Sequence, residues 1–338
     1  MVRDGVTQKL VDADDAITTV SSNNTVTISG LGNILCPEET LTALEERYLA
    51  DGTPENLTVF TPIRAGNEGS GLEHLAHDGL LERLVTGSFN TQTQPGISEL
   101  VSKDEIEAYA FPMGVSFQLL EQQAGGSPGL LTKVGLDTYI DPRRKGAKYS
   151  PAATEDLVEV REVDGEEYLF YRTFPIDVAI LKGTTVDRQG NLTIEHEPNR
   201  LGLLEMALAA CNSGGTVIAQ VQRITECTHR NGRSVAVPSH LIDHVVVEPD
   251  QKQILGYDSV DEALTGRLNR SLRSTELSDI SDLPLRKRVI LNRAFAEIQP
   301  GDLVNLGVGM PVYLPALAKE RGIFDTITFT TEHGNIGG

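Results

Sequence analysis

The residue with the clearest capacity for chemistry is Glu332. It follows the β-branched run ITFTT and precedes HGNIGG, a glycine-rich turn. A β-branched run predicts a strand, and ligands of open parallel sheets bind at the carboxyl edge, where a residue after such a strand lies. A carboxylate there can act as a general base, a metal ligand or a covalent nucleophile. A solvated glutamate at a strand end is the alternative interpretation.

Two glycine pairs with the spacing Gly-x-Gly each stand between a strand-like run and a helical one. The first pair is Gly30 with Gly32, and the second is Gly307 with Gly309. Glycines in this place allow a tight turn and bring a ligand close to backbone N–H groups at a helix start, which suits an anion or an oxyanion. Neither pair has the third glycine of the dinucleotide fingerprint, so NAD binding has weak support. A tight turn without a ligand is the alternative.

The histidine and cysteine patterns predict neither a metal site nor a disulfide. Two histidine pairs have a spacing that suits a helix face, His74 with His77 and His240 with His244, but no HExxH motif or third ligand stands beside them. The three cysteines form no CxxC pair, which argues against zinc and against a disulfide framework.

The charge balance and the hydropathy exclude two classes of partner. The net charge of −19 argues against nucleic acid, because such binding relies on Lys and Arg neutralising phosphates. No apolar run approaches the roughly 18 residues of a membrane-spanning helix, and the first residues contain no apolar core of a secretory signal. We therefore expect a cytoplasmic protein. The basic loop DPRRKGAK at 141–148 is interpreted either as a phosphate contact or as a solvated loop.

The sequence around these residues alternates between runs typical of strands and runs typical of helices. The run TVTISG predicts a strand, PEETLTALEERYLADG a helix and NLTVFT a second strand, and a further helix is expected at 200–211. Other predicted strands are GLLTKV, EYLFYRTF, VAILKGT, TVIAQVQRI and HVVVEP. Apolar runs this continuous predict an α/β fold with an open, mostly parallel sheet and helices on both faces.

A polar stretch and an internal repeat divide the chain. Residues 251–282 lack a strand signal, and PLRKRVILNRAFAEI then starts a new helix. The residues after this helix repeat the beginning of the chain: Gly30 and Gly32 correspond to Gly307 and Gly309, Pro37 to Pro311, and 57–61 to 327–331. We expect a complete first half at 1–270, a linker at 271–285 and an incomplete second half at 286–338. Two parallel strands cannot cover both of their own faces, so either the first half or another chain must cover them.

Several stretches together resemble the family I CoA-transferases, in the acetate/propionate branch that fuses both halves in one chain. The matching stretches are VDADDAITTV with VTISGLG, FPMGVSFQLL, KVGLDTYIDPRRKGAK, FPIDVAILKGTTVDRQGNLT, VPSHLIDHVVV, NLGVGMP and TEHGNIGG. They cover the chain nearly end to end. Fused relatives continue beyond the glutamate motif, so the resemblance implies a chain truncated after it.

The resemblance implies a covalent mechanism without a metal or redox cofactor, in which coenzyme A is a substrate. Glu332 is then the nucleophile that carries CoA as a glutamyl thioester. The loops at Gly30 and Gly32 and at Met113 and Gly114 are implied to face the acyl group. Many relatives have glutamine where Met113 stands, and methionine cannot donate a hydrogen bond.

The resemblance also implies the partners. Gly334 and Gly337 are expected to contact CoA, and the substrates to be a short-chain acyl-CoA, such as acetyl-CoA or propionyl-CoA, and a free carboxylate. We expect a homo-oligomer or a complementary chain that supplies the rest of the second half. An acyl-CoA hydrolase of the same fold, and a truncated non-catalytic copy or assembly partner, are the alternatives.

Overall fold

The computed structural model describes residues 5–226, 232–268, 280–332 and 336, and it divides the chain into two compact units. The first is Met1–Asp261 and the second is Glu262–Gly338. The division into 1–270, 271–285 and 286–338 stays a prediction, since residues 269–279 lie outside the described part.

The described part of the first unit contains five α-helices. Helix α2 follows Pro37 and carries Glu38 and Glu39 in its first turn, where the helix dipole favours negative charge. The bounds are α1 Ala13–Ile17, α2 Glu38–Asp51, α3 Pro95–Ser102, α4 Met113–Ala124 and α5 Leu203–Asn212.

The strands of the first unit form three sheets. Their bounds are β1 Thr25–Ile28, β2 Leu57–Thr61, β3 Leu81–Thr86, β4 Glu107–Ala110, β5 Gly129–Thr132, β6 Val158–Val163, β7 Glu166–Arg172, β8 Val178–Lys182, β9 Thr185–Asp187, β10 Leu192–Thr193, β11 Thr216–Val221, β12 Arg223–Thr225, β13 Val235–Val237 and β14 His244–Val247.

The largest sheet has seven strands in the order β14-β11-β8-β1-β2-β3-β4, and every pairing in it is parallel. One face packs on a cluster with residues of α4 and α5, including Leu119 and Met206. The other face packs on residues of α1, α2 and α3, including Leu44 and Ile97. The predicted open parallel sheet with helices on both faces is confirmed.

Two predicted strands lie outside this sheet. GLLTKV forms β5 and EYLFYRTF forms β7, and both belong to an antiparallel sheet with the order β5-β7-β6. The β6–β7 hairpin turns at Asp164 and Gly165, which both have positive φ angles. Asp-Gly between two extended runs is a hairpin signal that accounts for this sheet. The remaining sheet has the order β12-β9-β10-β13, and the run TVIAQVQRI is divided between β11 and β12.

The second unit repeats the strand–turn–helix–strand order of the first. Its described elements are α6 Leu285–Phe295, β15 Leu303–Leu306, α7 Leu314–Glu320 and β16 Thr328–Thr331. Strands β15 and β16 are parallel, as β1 and β2 are, which confirms the internal repeat. Helix α7 has 7 residues against 14 in α2, because Pro311 lies in a separate 3₁₀ turn, Met310–Tyr313, before it.

The two strands of the second unit bury one face and expose the other. Phe329 lies in an apolar cluster with Leu291 and Leu317 of the helices, whereas Leu303 is 70% exposed and Thr328 is also exposed. The helices therefore cover a single face of the β15–β16 pair, as predicted for two parallel strands. No helix among the described residues of the chain is long and apolar enough to span a membrane.

Candidate active site

Glu332 lies at the carboxyl edge of the β15–β16 pair. Its N–H donates to the Leu306 carbonyl at 3.2 Å, which extends the strand ladder by one residue. Its side chain is exposed, and a Cβ atom built on Gly307 would lie 3.7 Å from its Oε2 atom. The carboxylate therefore stands beside the first glycine of the second Gly-x-Gly turn, where no side chain separates it from the backbone.

Hydrogen bonds between the strands hold this edge. Asn305 Nδ2 donates to Thr330 Oγ1 at 2.9 Å and to the Thr331 carbonyl at 3.1 Å. Thr331 Oγ1 is buried and has no hydrogen-bond partner within the described residues. The predicted CoA contacts Gly334 and Gly337 lie outside these residues, so their roles stay predictions.

The first Gly-x-Gly turn is more closely packed than the second. Gly30 has a φ of 140°, and a Cβ atom there would lie 2.6 Å from the Cβ of Ala65. The Gly32 N–H donates to the Arg64 carbonyl at 2.9 Å, and its own carbonyl accepts from Gly66 N–H at 2.7 Å. These bonds join the loop after β1 to the loop after β2, so the Gly32 N–H is already used within the protein. A role of Gly30 and Gly32 toward an acyl group stays a prediction.

Met113 and Gly114 are the first residues of α4. The first N–H groups of a helix have no intrahelical acceptor, and no side chain caps this helix at Pro112. Met113 is 46% exposed, and a Cβ on Gly87 would lie 2.4 Å from its Cγ and 2.5 Å from the Pro62 carbonyl oxygen. Met113 thus packs against Gly87 in the loop after β3.

The predicted glycine and methionine loops lie at one edge of the sheet, three strands apart. Strands β1 and β4 are separated by β2 and β3, which places their ends about 14 Å apart at the usual strand spacing. The internal repeat aligns Thr61 with Thr331, so Pro62 stands where the second unit has Glu332. A carboxylate at this point therefore belongs to the second copy of the repeat.

The histidine pair His74 and His77 is engaged with carboxylates. His74 Nε2 lies 2.8 Å from Glu38 Oε1 and its Nδ1 lies 2.5 Å from Glu45 Oε2, while His77 Nε2 lies 2.6 Å from Glu45 Oε1. Burial lowers the pKa of His74, but the hydrogen bonds to Glu38 and Glu45 outweigh it and raise the pKa to about 9. Glu38 Oε2 also accepts the Gly71 N–H at 2.9 Å, so this cluster joins the start of α2 to the segment after β2. Among the described residues, no three His, Cys, Asp or Glu side chains are grouped to hold a metal.

The basic loop 141–148 uses two of its cations internally. Arg143 pairs with Asp141 at 2.7 Å and with Glu167 at 2.8 Å, and Lys148 pairs with Asp156 at 2.7 Å. The Arg143 guanidinium holds the pKa of Asp141 well below its usual range. Two of the four cations of the loop are therefore paired with carboxylates, and Glu167 and Asp156 among these lie outside the loop.

Two clefts of the first unit contain none of the predicted site residues. One measures about 310 Å³ and lies between α4 and α5, with Arg200 as its cation and Glu121 and Glu205 as its anions. The other measures about 260 Å³ and is lined by four carboxylates, Glu38, Glu39, Glu248 and Asp250. Its negative charge disfavours an anionic ligand.

Lys182 and Glu197 form a buried ion pair that was not predicted from the sequence. Their Nζ and Oε2 atoms lie 3.3 Å apart, and their side chains are 1% and 2% exposed. Lys182 ends the apolar run VAIL, and a lysine at the end of a buried strand is a signal for such a pair.

Comparison with known proteins identifies the family of this chain. The model of the family described as Coenzyme A transferase matches residues 10–248. The chain belongs to this family. The resemblance inferred from the motifs is confirmed.

Individual coenzyme A transferases match over nearly the whole chain. It is 37% identical over 334 residues to caffeate CoA-transferase of Acetobacterium woodii, covering 98% of this chain and 62% of that protein. It is 35% identical over 332 residues to acetate CoA-transferase YdiF of Escherichia coli (strain K12), covering 97% and 61%. The crystal structure of acyl-CoA transferase YdiF from E. coli O157:H7 in a thioester complex with CoA matches with a TM-score of 0.88 and 32% identity, covering 98% of this chain and 66% of that one. The chain spans about three fifths of the length of these curated relatives.

Proposed function

We propose that this coenzyme A transferase moves CoA between a short-chain acyl-CoA and a free carboxylate, with Glu332 as the covalent carrier. The main support is the position of the Glu332 carboxylate, which is exposed at the edge of a parallel strand pair and lies beside a glycine turn. The structure of YdiF from E. coli O157:H7 in a thioester complex with CoA supports a covalent route.

The proposed steps conserve the energy of the thioester. A Glu332 oxygen attacks the acyl-CoA carbonyl carbon, the C–S bond breaks, and a mixed anhydride and CoA thiolate form. The thiolate then attacks the glutamyl carbonyl carbon and expels the carboxylate of the first acid, which leaves Glu332 as a thioester of CoA. An incoming carboxylate reverses both steps and departs as the new acyl-CoA. Every step exchanges one acyl bond for another, so the route uses no redox chemistry.

The glycine turn beside Glu332 suits the charge that develops in these steps. Each attack places negative charge on a carbonyl oxygen, and backbone N–H groups that already point at this position would stabilise it. Gly307 carries no side chain that blocks approach to the turn. We propose the turn 307–309 as a source of such donors, and we retain Met113 and Gly114 as predicted contacts of the acyl group.

Acetate and propionate are the proposed acceptor acids. The two curated relatives are named after acids of very different size, caffeate and acetate. Family membership alone therefore leaves the acid open, and the proposal for short acids rests on the motif resemblance.

A product assay tests the proposed function against its alternatives. The protein is incubated with acetyl-CoA and propionate, and CoA species are separated by chromatography. We expect propionyl-CoA from the wild type and from Glu320→Gln, an exposed carboxylate of the same unit, and none from Glu332→Gln. Free CoA that forms equally with and without propionate would indicate a hydrolase. No product at all, where the E. coli relative forms propionyl-CoA, would indicate a non-catalytic chain.

Assembly and location are further parts of the proposal. The exposed face of the β15–β16 pair supports either a homo-oligomer or a complementary chain. Sedimentation of the purified protein distinguishes a homo-oligomer from a monomer. Cys211 is an exposed free thiol, which suits the reducing cytoplasm that we propose as the location.

A further inference from the structure

The point where the strand order of the main sheet reverses is closed by the protein itself. Strands β1 and β8 are neighbours there, and the crevice at such a point is the usual ligand site of an open α/β sheet. A strap, residues 251–255, crosses this crevice. The Leu255 N–H donates to the Asn33 carbonyl at 2.8 Å, and Ile254 forms a β-bridge with Ile34. The strap therefore lies directly against the loop that contains Gly30 and Gly32.

Lys182 holds the strap from the sheet side. It is the last residue of β8, is 1% exposed, and its Nζ donates to the Lys252 carbonyl at 2.6 Å and lies 3.5 Å from the Gln253 carbonyl. Its third partner is Glu197, at 3.3 Å. One buried ammonium thus satisfies two backbone carbonyls of the strap and one carboxylate.

The same lysine reaches the glycine loop through its backbone. The Lys182 N–H donates to Ser29 Oγ at 3.0 Å, and Ser29 Oγ donates to the Leu35 carbonyl at 2.8 Å. Ser29 directly precedes Gly30 and Leu35 closes the loop, so both ends of the loop are tied to one residue of β8. The loop is fixed from the sheet side by this chain of bonds and from the outer side by the strap.

Glutamines complete the attachment of the strap. Gln251 Nε2 donates to the Gly183 carbonyl at 2.7 Å, and Gln253 Nε2 donates to the His196 carbonyl at 2.6 Å. The Asp261 N–H donates to Gln253 Oε1 at 2.8 Å. These side-chain bonds add anchors on either side of Lys252, whose carbonyl Lys182 holds.

We propose that Lys182 is a positioning residue that fixes the loop 30–35 by bonding to the strap, while Glu197 balances the charge of its buried ammonium. The inference rests on the proposed function in one respect, because this loop is predicted to face the acyl group. The strap covers the crevice between β1 and β8. The ligand-facing edge of this sheet is then formed by the ends of β1 to β4.

Hydrogen exchange of the full chain tests the proposal without any need for activity. In Lys182→Met, the amides of Leu31, Gly32, Ile34 and Leu255 are expected to exchange about tenfold faster or more, because two buried carbonyls lose their donor. Leu169→Ala is the matched control: Leu169 is 0% exposed on β7, in a sheet separate from β1 and β8, and the substitution lowers stability without removing a hydrogen bond of the strap. If Leu169→Ala lowers the Tm as much as Lys182→Met does, these four amides should still be protected from exchange in Leu169→Ala.

A second pair of variants distinguishes positioning from simple charge compensation. Glu197→Gln is expected to keep the protection, since Lys182 still bonds to the Lys252 and Gln253 carbonyls. The double variant Lys182→Met/Glu197→Gln is expected to stay unprotected. Unchanged exchange in Lys182→Met, or protection restored in the double variant, would overturn the proposal.

The transfer assay adds a kinetic readout. Lys182→Met is expected to lower kcat, because the loop would no longer be held in place during the chemical steps. The KM for acyl-CoA should stay within about twofold of the wild type, because no binding contact is removed. A rise in KM with kcat unchanged would contradict the positioning role. Absence of transfer in the wild type would refute the proposed function and leave the exchange result intact.

Discussion

The Glu332 carboxylate and Gly307 are neighbours across the β15–β16 strand pair, with 3.7 Å between Oε2 and the place where a Gly307 Cβ would stand. This distance is an ordinary van der Waals contact, so a methyl group fits while a larger side chain would cover the carboxylate. The relationship makes Gly307 a direct probe of access to Glu332.

Gly307→Val should reduce transfer with little effect on stability. The two extra methyl groups of valine would occupy the space beside the carboxylate, and we expect the acylation rate to fall about tenfold or more. Gly307→Ala should retain most activity. Rates from single-turnover kinetics, compared with Tm values, check this, and equal rates for the wild type and Gly307→Val would show that substrate approaches from elsewhere.

Met113→Gln should raise activity toward small acyl groups. The side chain is 46% exposed, so the substitution should change the free energy of unfolding by less than about 0.5 kcal/mol. A new amide donor at the start of α4 could stabilise an oxyanion, and we expect kcat/KM for acetyl-CoA to rise about tenfold. An unchanged kcat/KM would mean that position 113 does not contact the reacting group.

Gly30→Ala should destabilise the protein by about 2–4 kcal/mol. The new Cβ would lie 2.6 Å from the Cβ of Ala65, and the φ of 140° is strained for any residue with a side chain. Ala65→Gly removes the contact but not the backbone strain, so the double variant should recover only part of the loss. Urea denaturation measures the free energy of unfolding of the wild type, the two single variants and the double variant. Full recovery of stability in the double variant would show that backbone strain does not contribute.

His74 should make stability depend on pH in the alkaline range. Its pKa is raised from 6.5 to about 9 in the folded protein, so its contribution is fully present below pH 6.5 and is lost as the pH rises through 9. We expect this contribution to the free energy of unfolding to be about 1–2 kcal/mol. It is smaller than the pKa shift alone would give, because the site is partly solvated. Urea denaturation between pH 6 and 10 should show a smaller decline for His74→Gln than for the wild type and His240→Gln, and parallel declines would contradict this.

Long apolar runs made the main sheet predictable. VAILK is buried along its whole length as β8, and TVTI and LTVFT pair in parallel as β1 and β2, as their continuous apolar character indicates. The repeat likewise located β15 and β16, because the same order of glycines, proline and strand recurs.

Strands with internal charge were not predicted. Glu82 and Arg83 interrupt the apolar character of β3, and β4 has only four residues, EAYA. The structure accounts for the charge, since Arg83 pairs with Glu107 on the neighbouring strand at 2.6 Å. A contact between residues this far apart in sequence leaves no local pattern.

The position of Glu332 at a strand end could be predicted, but the bonds around the first glycine loop could not. Glu332 has a local signature in the strand before it and the glycines after it. Lys182, by contrast, depends on a strap about 70 residues later in the chain, and the use of the Gly32 N–H by Arg64 depends on how two loops pack. Such contacts follow from the tertiary structure alone.

The most direct test of Glu332 as covalent carrier is reductive trapping. The protein is incubated with acetyl-CoA, treated with borohydride and digested, and the peptide that contains Glu332 is analysed by mass spectrometry. We predict a Glu332 side chain reduced to the alcohol in the wild type and in Glu320→Gln, dependent on acetyl-CoA. An unmodified Glu332 peptide, under conditions that modify the corresponding peptide of the E. coli relative, would show that Glu332 does not carry CoA.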